Sequence, residues 1–198
     1  MRSVRDLIET FREYNEISKA GLIARRAFVN NSFDGVLTMT GVIMGSLVVG
    51  VEDPKVVIVT GVSTATAIGI SGGWGAYLAE SAEREHAIEE LQGVTLTDLR
   101  NSKIGKASRL GVKIVAAVDG LTPFASAMLV VIPFFLVPLL PEIAYAYYSS
   151  IALALLALFG LGIFLGRLSQ RNLFLSGMKT VVAGIVCIGI TYLLELLA

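Results

Sequence analysis

Five apolar stretches, at residues 27–51, 54–79, 110–140, 143–165 and 173–198, occupy most of this chain. Each holds about twenty residues or more, which is enough to carry a helix across the hydrocarbon core of a bilayer. No water is available there to satisfy backbone N–H and C=O groups, so each run must close its hydrogen bonds internally as a helix. Composition agrees. The 198 residues are 55% hydrophobic and 16% charged, whereas a soluble domain carries about 25% charge. The fold class predicted is an all-α membrane protein with five transmembrane helices.

The basic residues set the orientation. Six precede the first span (Arg2, Arg5, Arg12, Lys19, Arg25, Arg26) and six lie between or just inside the second and third (Arg84, Arg100, Lys103, Lys106, Arg109, Lys113). Arg167, Arg171 and Lys179 flank the junction of the fourth and fifth. With five spans all of these fall on one side, and only Lys55, beside Glu52 and Asp53, falls on the other. Lys and Arg favour the cytoplasmic side, so the N-terminus is expected inside and the C-terminus outside. An even span count would destroy this asymmetry. The chain then divides into a cytoplasmic amphipathic helix (1–24), two spans (25–79), a short acidic helical loop on the cytoplasmic side (80–109) and three spans (110–198).

Residues 2–19 set Val4, Leu7, Ile8, Phe11 and Ile17 or Ser18 at a helical period among charged residues, a pattern suited to lying at the interface or packing on the loop. This charged start has no apolar core of a cleavable signal peptide. In the loop, the second span is expected to continue as a helix to Gly93, with Thr95 or Thr97 capping a short second helix. The third span is expected to be broken at Pro123, Pro133 and Pro138.

Asp34 is the residue that suggests a function. It lies within the first apolar run, A-F-V-N-N-S-F-D-G-V-L-T-M-T-G-V-I-M-G. A carboxylate deep in a membrane helix costs about 2.5–3.5 kcal/mol on insertion scales, and such residues ordinarily face a bundle interior or a water-filled path. Asn30, Asp34, Thr38, Gly41 and Gly45 share one helical face, as do Thr60, Thr64, Ala67, Ser71 and Gly75 on the second span. Two such faces could line a narrow hydrophilic path through Asn30, Thr38, Thr64 and Ser71, although small residues also serve helix packing alone. Asp119 repeats the local context, V-D-G-L-T against F-D-G-V-L-T, at a similar distance from the preceding basic residues. Pro123 supplies no N–H to the Asp119 carbonyl, so carboxylate and carbonyl oxygens together suit a hard or borderline divalent cation. The alternative is that Asp119 snorkels to water.

Further candidate ligands are Met39, on the first span with Met44, and Met128 on the third, whose thioethers favour softer metals but more commonly pack. In the loop, Glu80, Glu83, Glu85, His86, Glu89 and Glu90 are dense, with Arg84 interleaved and with His86/Glu90 and Glu85/Glu89 four apart, a spacing that can present two ligands from one helix face or simply a solvated surface. The lone Cys187 excludes an internal disulfide, and the single His86 excludes a three-histidine site within one chain. Equal numbers of acidic and basic residues give no pointer to nucleic acid.

The motif D-G-V-L-T-M-T-G-V-I-M-G after Arg25-Arg26 resembles the first span of the vacuolar iron transporter family. I-S-G-G-W-G-A-Y-L-A-E-S-A-E-R-E is similar to the end of that family's second span, and P-L-L-P at 138–141 and G-R-L-S-Q-R-N at 166–172 resemble its third and fourth. The resemblance runs from Ala24 onward. It implies a five-span homodimer carrying Fe²⁺, or Mn²⁺, out of the cytosol in exchange for protons, with no tightly bound cofactor. It implies that Asp34 is the pathway aspartate and that the loop glutamates collect metal. It also implies a multi-pass protein of the cell membrane, or of a vacuolar-type membrane in a eukaryote. Several positions depart from the pattern. Gly72 stands where the family has a second-span methionine, Ala76 where it has a glutamate, and Phe33 where an asparagine precedes the aspartate, and the loop is shorter. Two other classes would also use the aspartates. An intramembrane aspartyl protease would use Asp34 and Asp119 as a dyad, but neither lies in G-x-G-D. A non-catalytic membrane scaffold would use both as structural hydrogen-bonding groups.

Overall fold

The computed structural model describes residues 4–197, of which the side chains of residues 4–8, 10, 11 and 195 are not described. The apolar face expected at Val4, Leu7, Ile8 and Phe11 therefore lies outside the described side chains. Among the described residues the chain is helical with no strand. The helices are α1 (Val4–Ser18), α2 (Ala20–Val48), α3 (Pro54–Thr95), α4 (Lys103–Phe135), α5 (Ile143–Leu168) and α6 (Leu173–Leu197), with a 3₁₀ turn at Val137–Leu139.

Four of these are long and apolar enough to cross a membrane: α3, α4 with its 3₁₀ extension, α5 and α6. The first expected span, α2, is 29 residues long but is not one of the four. Arg25, Arg26, Asn30, Asn31, Ser32 and Asp34 dilute its apolar content, and only its second half is free of charged residues.

Local signals fix the helix ends. Gly50, at φ +75°, terminates α2: the Val51 N–H bonds the Ser46 carbonyl and the Gly50 N–H bonds that of Leu47, the pairing of a Schellman motif. Asp53 caps α3 by accepting the Lys55 N–H at 2.9 Å, and Pro54 takes the first helical position, where a missing N–H does no harm. The next end departs from expectation. Gly93 does not stop α3, which runs on to Thr95, where Leu96 takes the left-handed conformation (φ 52°). No second loop helix forms between Leu96 and Ser102. Asp98 orders that turn instead, accepting the Arg100 backbone N–H and the Gln92 amide, which in that order hold its carboxyl below the usual value. With no such helix, Thr95 and Thr97 have none to cap; Ser102 caps α4 through the Gly105 N–H. The prolines are a second correction. α4 passes through Pro123 and Pro133 and ends only at Phe135, before the 3₁₀ turn that holds Pro138.

The chain forms two compact units, residues 1–28 with 70–121, and residues 29–69 with 122–198. In the first, Arg84 is the organising side chain. Its guanidinium pairs with Glu80 at 2.7 Å, with both side chains about 15% exposed, and donates twice to the Ser18 carbonyl at the end of α1. Gly111 makes room for it, since a Cβ there would lie 2.8 Å from the Arg84 Cζ. Truncating one partner of such a sheltered pair would leave the other charge unmatched.

The second unit holds the apolar core. Val36, Met39 and Ile43 of α2 meet Val57 and Ala65 of α3, Val130, Val131 and Phe134 of α4, and Ala154 and Leu158 of α5. Phe134 and Tyr147 pack edge to face at 4.9 Å, and the Tyr147 hydroxyl donates to the Val51 carbonyl at 2.8 Å. α6 docks on α5 through Gly162 and Gly177, and the Thr180 hydroxyl donates to the Leu158 carbonyl. Its other face is an exposed row of Met178, Val182, Ile185 and Leu193, suited to lipid.

Candidate functional site

Asp34 is the middle residue of α2, fourteen positions from Ala20 and fourteen from Val48. Val29, Ser32, Val36, Met39, Thr40 and Ile43 turn inward and are buried, whereas Asn30 and Asp34 are exposed and Thr38, Gly41 and Gly45 are half-buried. Asn30 and Asp34 thus lie on a face that α2 turns away from the core, whereas α6 approaches the same face further along: a Cβ at Gly41 would stand 3.9 Å from the Cys187 Sγ, which donates to the Leu37 carbonyl at 3.8 Å. Among the described residues, Asp34 has no hydrogen-bonding or ionic partner.

Gly35 explains why α2 sits this way. A Cβ at Gly35 would run into the Pro123 carbonyl oxygen and the Ser126 hydroxyl, so α2 and α4 touch through backbone at this point. Seating Gly35 on α4 leaves its neighbour Asp34 outside the seam. The second D-G pair repeats the device in the first unit. Gly120 lies against Gly73 of α3, where a Cβ would come within 3.3 Å of the Gly120 Cα. A Cβ at Gly72 would lie 2.5 Å from the Asp119 carbonyl oxygen. The position at which the sequence resemblance implies a methionine therefore has no room for a side chain in this chain. Asp119 itself is half-buried.

The remaining candidates separate. Thr64 is half-buried in the second unit, and Ser71 is exposed in the first. Met39 is fully buried, its sulfur 3.4 Å from where a Gly61 Cβ would stand; Met44 is also buried, and Met128 packs against the same core. On the extension of α3, Glu83, Glu85, His86, Glu89 and Glu90 are exposed. Glu89 pairs with Arg100 at 3.3 Å, a surface contact of small energetic weight. Among the described residues, no three His, Cys, Asp or Glu side chains converge closely enough to hold a metal ion. A single copy thus offers isolated ligands, with Asp34 the most central.

Sequence reasoning placed Glu80 among the loop acids and Arg84 as an interleaved charge, missing their joint role at Ser18. The spacing of four was the available signal; their shelter depends on Gly111, which is remote in sequence.

The profile of the VIT family matches residues 25–106 and 109–195. The chain belongs to the VIT family. An uncharacterized protein of Methanocaldococcus jannaschii is 30% identical over 197 residues, covering 98% of this chain and 96% of its own. Family membership and four membrane-length helices make this a multi-pass membrane protein of a transporter family that handles cations. The VIT match spans both D-G pairs, the acidic extension and nearly all of α6, whereas α1 precedes it.

Proposed function

We propose that this VIT protein exports divalent metal, Fe²⁺ or Mn²⁺, from the cytosol by proton antiport, along a path that two copies form between their α2 helices. The observation that carries the reading is the placement of Asp34, mid-helix and on the face turned away from the chain's own core. Lipid tails are a poor neighbour for a carboxylate at that depth. A second copy would cover it with the same polar face, and the open space at Gly45 would let the two helices approach closely.

In this reading α2 is the fifth span. Its polar content is what a path-lining helix requires, and five spans restore the one-sided distribution of basic residues. Paired Asp34 carboxylates would supply the anionic oxygen ligands, with Asn30 and Thr38 adding neutral oxygens above and below. The exposed acids and His86 on the α3 extension would raise the local cation concentration on the cytoplasmic side. A carboxylate that holds a cation cannot also hold a proton at the same oxygens, so the ions compete, which suffices for exchange. Asp119 is assigned a supporting place at the α3–α4 contact. The protein carries no resident cofactor in this account, and the cell membrane is the membrane assigned.

The test is reconstitution of the full chain into liposomes loaded with a pH-sensitive dye, with Fe²⁺, Mn²⁺, Co²⁺ and Zn²⁺ offered in turn. Metal-dependent proton movement with Fe²⁺ or Mn²⁺ supports the proposal. Absence of flux for every metal, in protein shown to be dimeric, overturns it. Pepstatin-type inhibitors should leave the flux unchanged, because no aspartyl dyad is involved.

A further inference from the structure

The end of α5, the start of α6 and the turn between them enclose a cleft of about 430 Å³, within the range of roughly 300–1,000 Å³ usual for small-ligand sites. Arg171 and Lys179 line it together with the hydroxyls of Ser176 and Thr180, and Leu165 and Leu168 form an apolar wall. Two features set this cleft apart from an ordinary basic rim. First, the segment 166–180 contains Arg167, Arg171 and Lys179 and no acidic residue, and neither Arg171 nor Lys179 has an ionic partner among the described residues. Second, the turn is held rigidly. Gln170 takes the left-handed conformation, the Arg171 N–H bonds the Gly166 carbonyl, and Asn172 caps α6 by accepting the Phe174 and Leu175 N–H groups. The cations are therefore presented from a fixed frame.

Snorkelling alone explains basic residues at the end of a membrane helix. It does not explain two unpaired cations and a Ser176 hydroxyl, itself without a bond among the described residues, converging on one cleft beside exposed leucines. Leu165 and Leu168 are 40% and 51% exposed, on a helix apolar enough to lie in the bilayer. A ligand that fits must be anionic at one end and apolar at the other. We infer that this cleft binds the phosphate headgroup of an anionic phospholipid, with Arg171 and Lys179 on the phosphate and an acyl chain along Leu165 and Leu168. Basic pockets between membrane helices are recognised lipid-headgroup sites. The inference concerns a surface remote in sequence from Asp34 and stands whether or not Asp34 carries metal.

The experiment is native mass spectrometry of the full chain in detergent, with phosphatidylglycerol and phosphatidylcholine of identical acyl chains. Preferential retention of phosphatidylglycerol is expected. Arg171→Gln with Lys179→Gln should weaken it about thirtyfold, taking each cation at its usual worth near an anionic surface. Lys106→Gln with Lys113→Gln removes the same charge from exposed positions outside the cleft and should leave retention unchanged. If the double glutamine variant aggregates, Arg171→Lys with Lys179→Arg, which preserves charge, should still select phosphatidylglycerol, and Lys179→Gln alone should weaken retention about fivefold. Equal retention of both lipids overturns the inference, as does equal loss in the Lys106/Lys113 control. Displacement of the lipid by millimolar inorganic phosphate would also overturn it, in favour of a soluble phosphate site.

Discussion

Asp34 and Gly35 are adjacent, yet one faces out of the chain and the other is pressed against α4. A methyl group at Gly35 has nowhere to go, because one of the groups it would meet is the Pro123 backbone carbonyl. Gly35→Ala should destabilise the protein by about 1–3 kcal/mol, the usual cost of overpacking, measurable as a lower melting temperature in detergent. Gly72 makes a parallel case. Placing there the methionine that the sequence resemblance implies, with Gly72→Met, should lower stability and should not raise metal flux, since the Asp119 carbonyl occupies the space. Greater flux at unchanged stability would contradict the packing argument. At this scale Asp34 was legible from sequence because a charge inside an apolar run has few structural uses. The role of Gly35 was not, because its partners Pro123 and Ser126 become neighbours only when the chain folds. Met39 shows the converse: its sulfur made it a candidate ligand, while its burial beside Gly61 is a tertiary fact.

Helix boundaries were read well where a local cap decides them and poorly where packing does. The Gly50 turn and the Asp53–Pro54 start of α3 carry their own chemistry. Gly93 and Pro123 were misleading because each disfavours a helix by propensity alone: Pro123 is fully buried among packed neighbours that offset the cost, and Gly93, though exposed, lies only two residues before the helix end, where the cost is small. At 42 residues α3 is about 63 Å long, roughly twice the hydrocarbon thickness, so it must extend well beyond one side of the membrane and carry its acidic segment into water. Tyr147 ties α5 to the turn after α2. Tyr147→Phe removes one hydrogen bond to the Val51 carbonyl and should cost about 0.5–1.5 kcal/mol, seen in the thermal melt with helix content unchanged. A loss well beyond that range would mean that the ring packing against Phe134, rather than the hydroxyl, had been disturbed.

For the molecule as a whole, the composition and the spacing of apolar runs made the all-helical membrane class legible from sequence. The number of spans was less so, because the helix that carries the polar face is the one whose hydrophobicity that face lowers. The proposed pairing of copies makes a direct prediction. In a Cys187→Ser background, Thr38→Cys should form an intermolecular disulfide on mild oxidation, whereas Val182→Cys, on the exposed apolar face of α6, should not. Cross-linking at 182 alone would place the contact on α6 and remove Asp34 from any shared path.

The most direct measurement compares wild type, Asp34→Asn and Asp34→Glu in proteoliposomes, reading metal entry and proton movement together across a pH series. The account predicts that asparagine, which keeps the shape and loses the charge, abolishes coupled flux in a protein that remains folded and dimeric, while glutamate retains coupling at an altered rate. Unchanged rate and pH dependence in Asp34→Asn would contradict it, and Asp34 would then be a structural residue rather than the group that holds the ion.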